Sequence, residues 1–127
     1  MDIKSIKSKW RVYVPDFEIG GKNNRDLPAK EQVTVEVHAL TYGEQQSYGE
    51  MMRLKGKPNR GGFKTNSADV NKRMFCDNVK NITNLTIDGA PLEDPLKLYE
   101  EGPPEMVNDI IEAIQSISKL EEGERKN

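Results

Sequence analysis

The sequence predicts an α+β domain: a small antiparallel sheet of N-terminal strands, packed with about four helices and closed by a long amphipathic C-terminal helix. Three observations carry this. Residues 32–40 alternate, with Val33, Val35, Val37 and Ala39 on one side and Thr34, Glu36 and His38 on the other. Thr41 is followed three residues later by Glu44, the spacing of a helix capping box. Residues 104–120 repeat apolar side chains at helical spacing. Set at roughly 100° intervals, Met106, Val107, Ile110, Ile111, Ile114 and Ile117 fall within an arc of about 140°.

The first strand is expected over residues 9–17, with Trp10, Val12 and Val14 on one side and Arg11 and Tyr13 on the other; Pro15 limits it. Residues 20–26 read as a turn-rich loop. Residues 32–40 make the second strand, β-branched and with one wet face, paired antiparallel to the first. A helix follows over residues 42–54, with Tyr48, Met51, Met52 and Leu54 on its apolar side.

Residues 55–66 are expected to form a flexible basic loop. Asn66 or Ser67 caps the next helix, which runs over residues 68–80 and turns Val70, Met74, Phe75 and Val79 inward. Residues 82–87 are short and β-like, and Asp88-Gly89 signals a tight reversal. Asp94-Pro95 reads as N-cap and first helical residue of a short helix over residues 96–100. Gly102-Pro103-Pro104 ends it and launches the long helix, for which Gly123 is the expected C-cap. All 127 residues form a single domain, with residues 1–8 and 121–127 as flexible tails.

Composition bounds the function. Apolar residues make up 35% and charged residues 31%, with a net charge of −2, which argues against a general polyanion binder. One cysteine leaves no intramolecular disulfide and no cysteine-rich zinc site. No apolar run approaches about 18 residues, and the N-terminus lacks the apolar centre of a signal peptide. A free thiol without a signal fits a reducing cytoplasm.

Candidate chemistry is sparse. The single histidine, His38, is placed on the wet face of its strand, with no Cys, Asp or Glu at metal-ligand spacing. It reads as a surface or packing residue. Cys76 reads as a small buried hydrophobe; a nucleophilic role would need a nearby base and a lowered thiol pKa. Gly56, Gly61 and Gly62 do not make a phosphate-cradling loop, because no Lys-Ser or Lys-Thr follows the last glycine. Lys55, Lys57, Arg60 and Lys64, with Phe63 among them, could track a nucleic-acid backbone, but a solvated loop is the favoured reading. Neither a calcium-loop pattern nor H-E-x-x-H occurs. No catalytic residue, metal or cofactor is assigned.

Charge is uneven. Residues 53–80 are rich in Lys and Arg, whereas Glu93, Asp94, Glu100, Glu101, Glu105, Asp109 and Glu112 are opposed only by Lys97. The two parts could dock on each other or on a second copy; acids near helix N-termini also account for much of the pattern. The long helix is foremost a core element. The apolar edge it leaves over, at Met106, Ile110 and Ile117, is the candidate partner contact, together with the adaptable pair Met51 and Met52.

A wider pattern runs through residues 33–127. Strand residues 33–39 lead into Leu40-Thr41-x-x-Glu44. A helix carrying Phe75 and Val79 leads to Asn81-Ile82-Thr83-Asn84-Leu85. Then come Ile87-Asp88-Gly89, Pro91-Leu92, Leu96 and Leu98, the amphipathic helix, and the ending Glu124-Arg125-Lys126-Asn127. This succession resembles the tail assembly chaperones of long-tailed bacteriophages and prophages. The chain departs from that pattern at Asn84-Leu85, where many relatives carry Trp, and in its longer Gly-rich basic loop. The resemblance implies a non-enzyme that keeps the tape-measure protein soluble and helps recruit tail-tube subunits in the cytoplasm of the bacterial host. It also implies that an extended, frameshifted form can exist, with which a short C-terminal tail is compatible. Self-association is allowed; membrane contact is not expected. The alternatives are another tail or head-tail connector protein, a small nucleic-acid-binding regulator using the basic loop, and, last, an enzyme using Cys76.

Overall fold

The computed structural model describes the backbone of residues 9–55 and 62–126, and the side chains of residues 9–48 and 69–118. It is an α+β fold. The elements are β1 (Arg11–Tyr13), β2 (Glu18–Ile19), β3 (Lys22–Asn23), β4 (Thr34–Val37), α1 (Tyr42–Lys55), α2 (Gly62–Asn78), β5 (Val79–Thr83), β6 (Thr86–Ile87), β7 (Ala90–Pro91), α3 (Pro95–Glu101) and α4 (Pro104–Lys126).

The main sheet is antiparallel, in the order β1-β4-β5. Arg11 lies opposite Val37 and Tyr13 opposite Val35, so the first two strands pair as their alternation predicts. β4 sits in the centre because its period-2 valines bury completely on the helix side, with Val33 and Ala39 continuing the row. On β1 the Tyr13 side faces in, and Val12 is 69% exposed. The register next to β4 decides this: Tyr13 shares the face of Val35, and Val12 shares that of Glu36.

His38 is a correction. It is only 3% exposed, not on a wet face. Strand pairing stops at Val37, and the indole of Trp10 lies across the imidazole with ring centroids 4.1 Å apart. The Lys80 ammonium sits 4.1 Å from the indole centroid.

The capping box forms as spaced. Glu44 N–H donates to Thr41 Oγ1 at 3.1 Å, and Thr41 N–H donates to Glu44 Oε1 at 2.9 Å. α1 then packs on α2. The expected basic loop over residues 55–66 is shorter than expected. Residues 62–66 belong to α2, and Asn66 and Ser67 lie inside the helix rather than capping it. At the other end α2 stops at Asn78, whose side-chain Nδ2 donates to the Met74 carbonyl at 2.7 Å. Val79 and Lys80, read as helix from sequence, pair instead with Val37 and Glu36.

β5 bulges where the register shifts between Thr34 and Glu36, and Asn81 there has φ 51°. Two tight hairpins flank the sheet. Asp88 and Gly89 take φ 51° and 83° in the β6–β7 turn, as Asp-Gly predicts. Gly20 and Gly21 take φ 59° and 82° and turn β2 back on β3, a hairpin inside the stretch read as loop. Asp94 accepts a bond from Leu96 N–H at α3's start, and Gly102 ends that helix by donating to Leu98 O at 2.8 Å. A Cβ at Gly102 would lie 2.5 Å from that oxygen, so no other residue fits without movement.

α4 spans 23 residues and passes straight through Gly123, which therefore does not cap it; residues 121–126, expected as a flexible tail, are helical, while the tail expected over residues 1–8 lies outside the described residues. Its inward arc, Met106, Val107, Ile110 and Ile114, closes one core with the β4 valines, Val70, Met74, Phe75, Leu92 and Leu98. Phe75 and Tyr99 meet at 5.6 Å between centroids, tying α2 to α3. Among the described residues no helix is long and apolar enough to cross a membrane.

Candidate functional site

The polar face of α4 provides the best-defined surface feature. Glu105, Asn108, Asp109 and Glu112 stand at i, i+3, i+4 and i+7, so one helix face carries all four. Asp16, Phe17, Glu18 and Asn23 form the opposite wall of an open cleft of about 540 Å³. The β2–β3 hairpin holds that wall in place.

Asp109 joins the two walls. Its Oδ2 accepts from Tyr13 OH at 2.6 Å and from Asp16 N–H at 2.8 Å. Asp16 is held in turn: Asn23 Nδ2 donates to its Oδ1 at 2.8 Å, and Arg25 Nη1 lies 4.0 Å from its Oδ2. Arg25 also donates from Nε to Val14 O and from Nη2 to Tyr13 OH, both at 3.0 Å. Its guanidinium lies 5.6 Å from the Tyr13 ring centroid. Burial, then the bond to Asp109 and its charge, push the Tyr13 phenol well above its usual range, against the lowering effect of Arg25. The hydroxyl donates to Asp109 and accepts from Arg25.

Glu18, Glu105 and Glu112 are exposed and face solvent water. Among the described residues, no group of three or more His, Cys, Asp or Glu converges to hold a metal ion.

The residues named from sequence as partner contacts separate. Met106 and Ile110 are 0% exposed and are corrected to core residues. They occupy the middle of α4's apolar arc, where the helix meets the rest of the core, so no edge is left at their positions. Ile117, one turn from the end of the buried run, is half-buried and packs on the core from its margin. Met51 and Met52 lie in α1 with side chains outside the described set. The basic positions do not share one loop. Lys55 ends α1 and Lys64 stands in the first turn of α2, with side chains outside the described set; Lys57 and Arg60 lie outside the described residues.

Cys76 is half-buried on α2. Burial, with the nearby Asp77 and Asp94 carboxylates, pushes its thiol upward, whereas a nucleophile needs the opposite shift. Between the basic middle and the acidic C-terminal part, Lys72 Nζ lies 3.9 Å from Glu100 Oε2, with both side chains about half exposed.

Sequence reading missed the Tyr13–Asp109–Arg25 assembly, because its members lie far apart along the chain. The acidic row on α4 was visible as the polar side of the helical wheel. Its opposite wall was not, because the Gly20-Gly21 hairpin was read as loop. Comparison with family models, curated proteins and solved structures finds no match to this chain.

Proposed function

We propose that this protein is a tail assembly chaperone of long-tailed phages or prophages, binding the tape-measure protein and helping recruit tail-tube subunits. The observation that carries the reading is the order of elements. A strand runs into a helix through the Thr41–Glu44 capping box; a tight Asp88-Gly89 hairpin, a short Asp94-capped helix and a long C-terminal helix follow. This is the succession on which the sequence resemblance rests. Met106 and Ile110 now belong to the core, so the proposed contact narrows to Ile117 at the margin of the buried arc and to the Met51-Met52 pair. Apolar contact there would mask aggregation-prone helix on the partner. The carboxylates at the start of α4 would set rate and register through charge.

Co-expression with the tape-measure protein encoded in the same genome tests this. The expected result is a soluble tape-measure protein that co-purifies with the chain and is lost from it in Met51→Lys/Met52→Lys. A tape-measure protein that stays insoluble with and without the chain overturns the reading. A stable hexameric ring of the chain alone would place it with connector proteins instead.

A further inference from the structure

We draw no further inference here: the strongest candidate, the open acidic cleft between residues 16–23 and the first turns of α4, is a cluster of carboxylates with nothing in the structure to show what covers it, and its Asp16 and Asp109 are already bonded within the chain.

Discussion

Asn24 pairs with Val33 as though it were a strand residue. Val33 N–H donates to Asn24 Oδ1 at 2.8 Å, and Asn24 Nδ2 donates to Val33 O at 3.0 Å and to Pro15 O at 2.9 Å. The side chain is fully buried. It therefore supplies partners for three main-chain groups that would otherwise be lost inside the protein, and it fixes the approach to β4. Asn24→Ala should lower stability by about 3 kcal/mol, since each orphaned buried group costs roughly 1–3 kcal/mol. Asn24→Asp keeps the acceptor, loses both donor bonds and buries a charge, so it should be worse than the alanine. Urea unfolding midpoints at neutral pH check both; a drop below about 1 kcal/mol for alanine would contradict this role.

Ser118 anchors the far end of the sheet strand to α4. Its hydroxyl donates to Ile114 O at 2.7 Å and accepts from Leu40 N–H at 2.8 Å. Ser118→Ala leaves a buried N–H without its acceptor and should cost about 1–3 kcal/mol. Amide exchange should localise the loss: the Leu40 amide should lose protection more than amides in α3.

Tyr13 and Asp109 should be coupled. Tyr13→Phe, Asp109→Asn and the double variant form a thermodynamic cycle. Contacting residues in one network couple by about 0.5–3 kcal/mol. Additivity within about 0.3 kcal/mol would mean that the bond contributes nothing measurable.

Alkaline pH should weaken the fold through Tyr48. Burial, then the adjacent Asp77 charge and the bond to it at 3.1 Å, push this phenol up to about 12. An unfolded tyrosine titrates near 10. Between those values the unfolded chain has released a proton that the folded chain still holds. The Tyr48 contribution is thus fully present below about pH 10 and falls as pH rises toward 12. Absorbance near 295 nm should record a late-ionising phenol that Tyr48→Phe removes, and that variant should lose less stability over the same interval.

Core and contact roles separate by mutation. Ile110→Ala should destabilise the protein by about 2–5 kcal/mol, as a fully buried aliphatic truncation does. Ile117→Ala, at the half-buried margin, should cost less than half as much. Equal losses at the two sites would show that Ile117 is as deeply engaged as Ile110, which would remove it as a partner contact.

Cys76 should react slowly. With its thiol raised by burial and by Asp77 and Asp94, little thiolate is present at neutral pH. Labelling by a disulfide reagent at pH 7 should be slower in the native protein than in denaturant. Faster native labelling would reverse the assignment.

The elements that were legible have local causes. The row Val33, Val35, Val37 and Ala39 needs only period 2 to choose its buried face. Thr41 with Glu44, Asp94 with Pro95, and Asp88 with Gly89 satisfy or terminate backbone within a few residues of themselves. The core arc of α4 needs only the helical repeat. Those features made the α+β class readable from the chain alone.

Tertiary structure decided what depends on distant groups. His38 is inside, with the Trp10 ring across it, although its place in the alternation points outward. Asn24 is buried because Pro15 and Val33 lie close enough to bond it. Residues 62–66 are helical, and Val79 changes from helix to strand because β4 offers it hydrogen bonds. Met106 and Ile110 illustrate both levels. Their helical spacing established by itself that they share an apolar face; the rest of the core had to be in place before that face could be assigned to the interior. Pairing across long chain separations depends on closing loops and on register, and neither is encoded in any short window of residues.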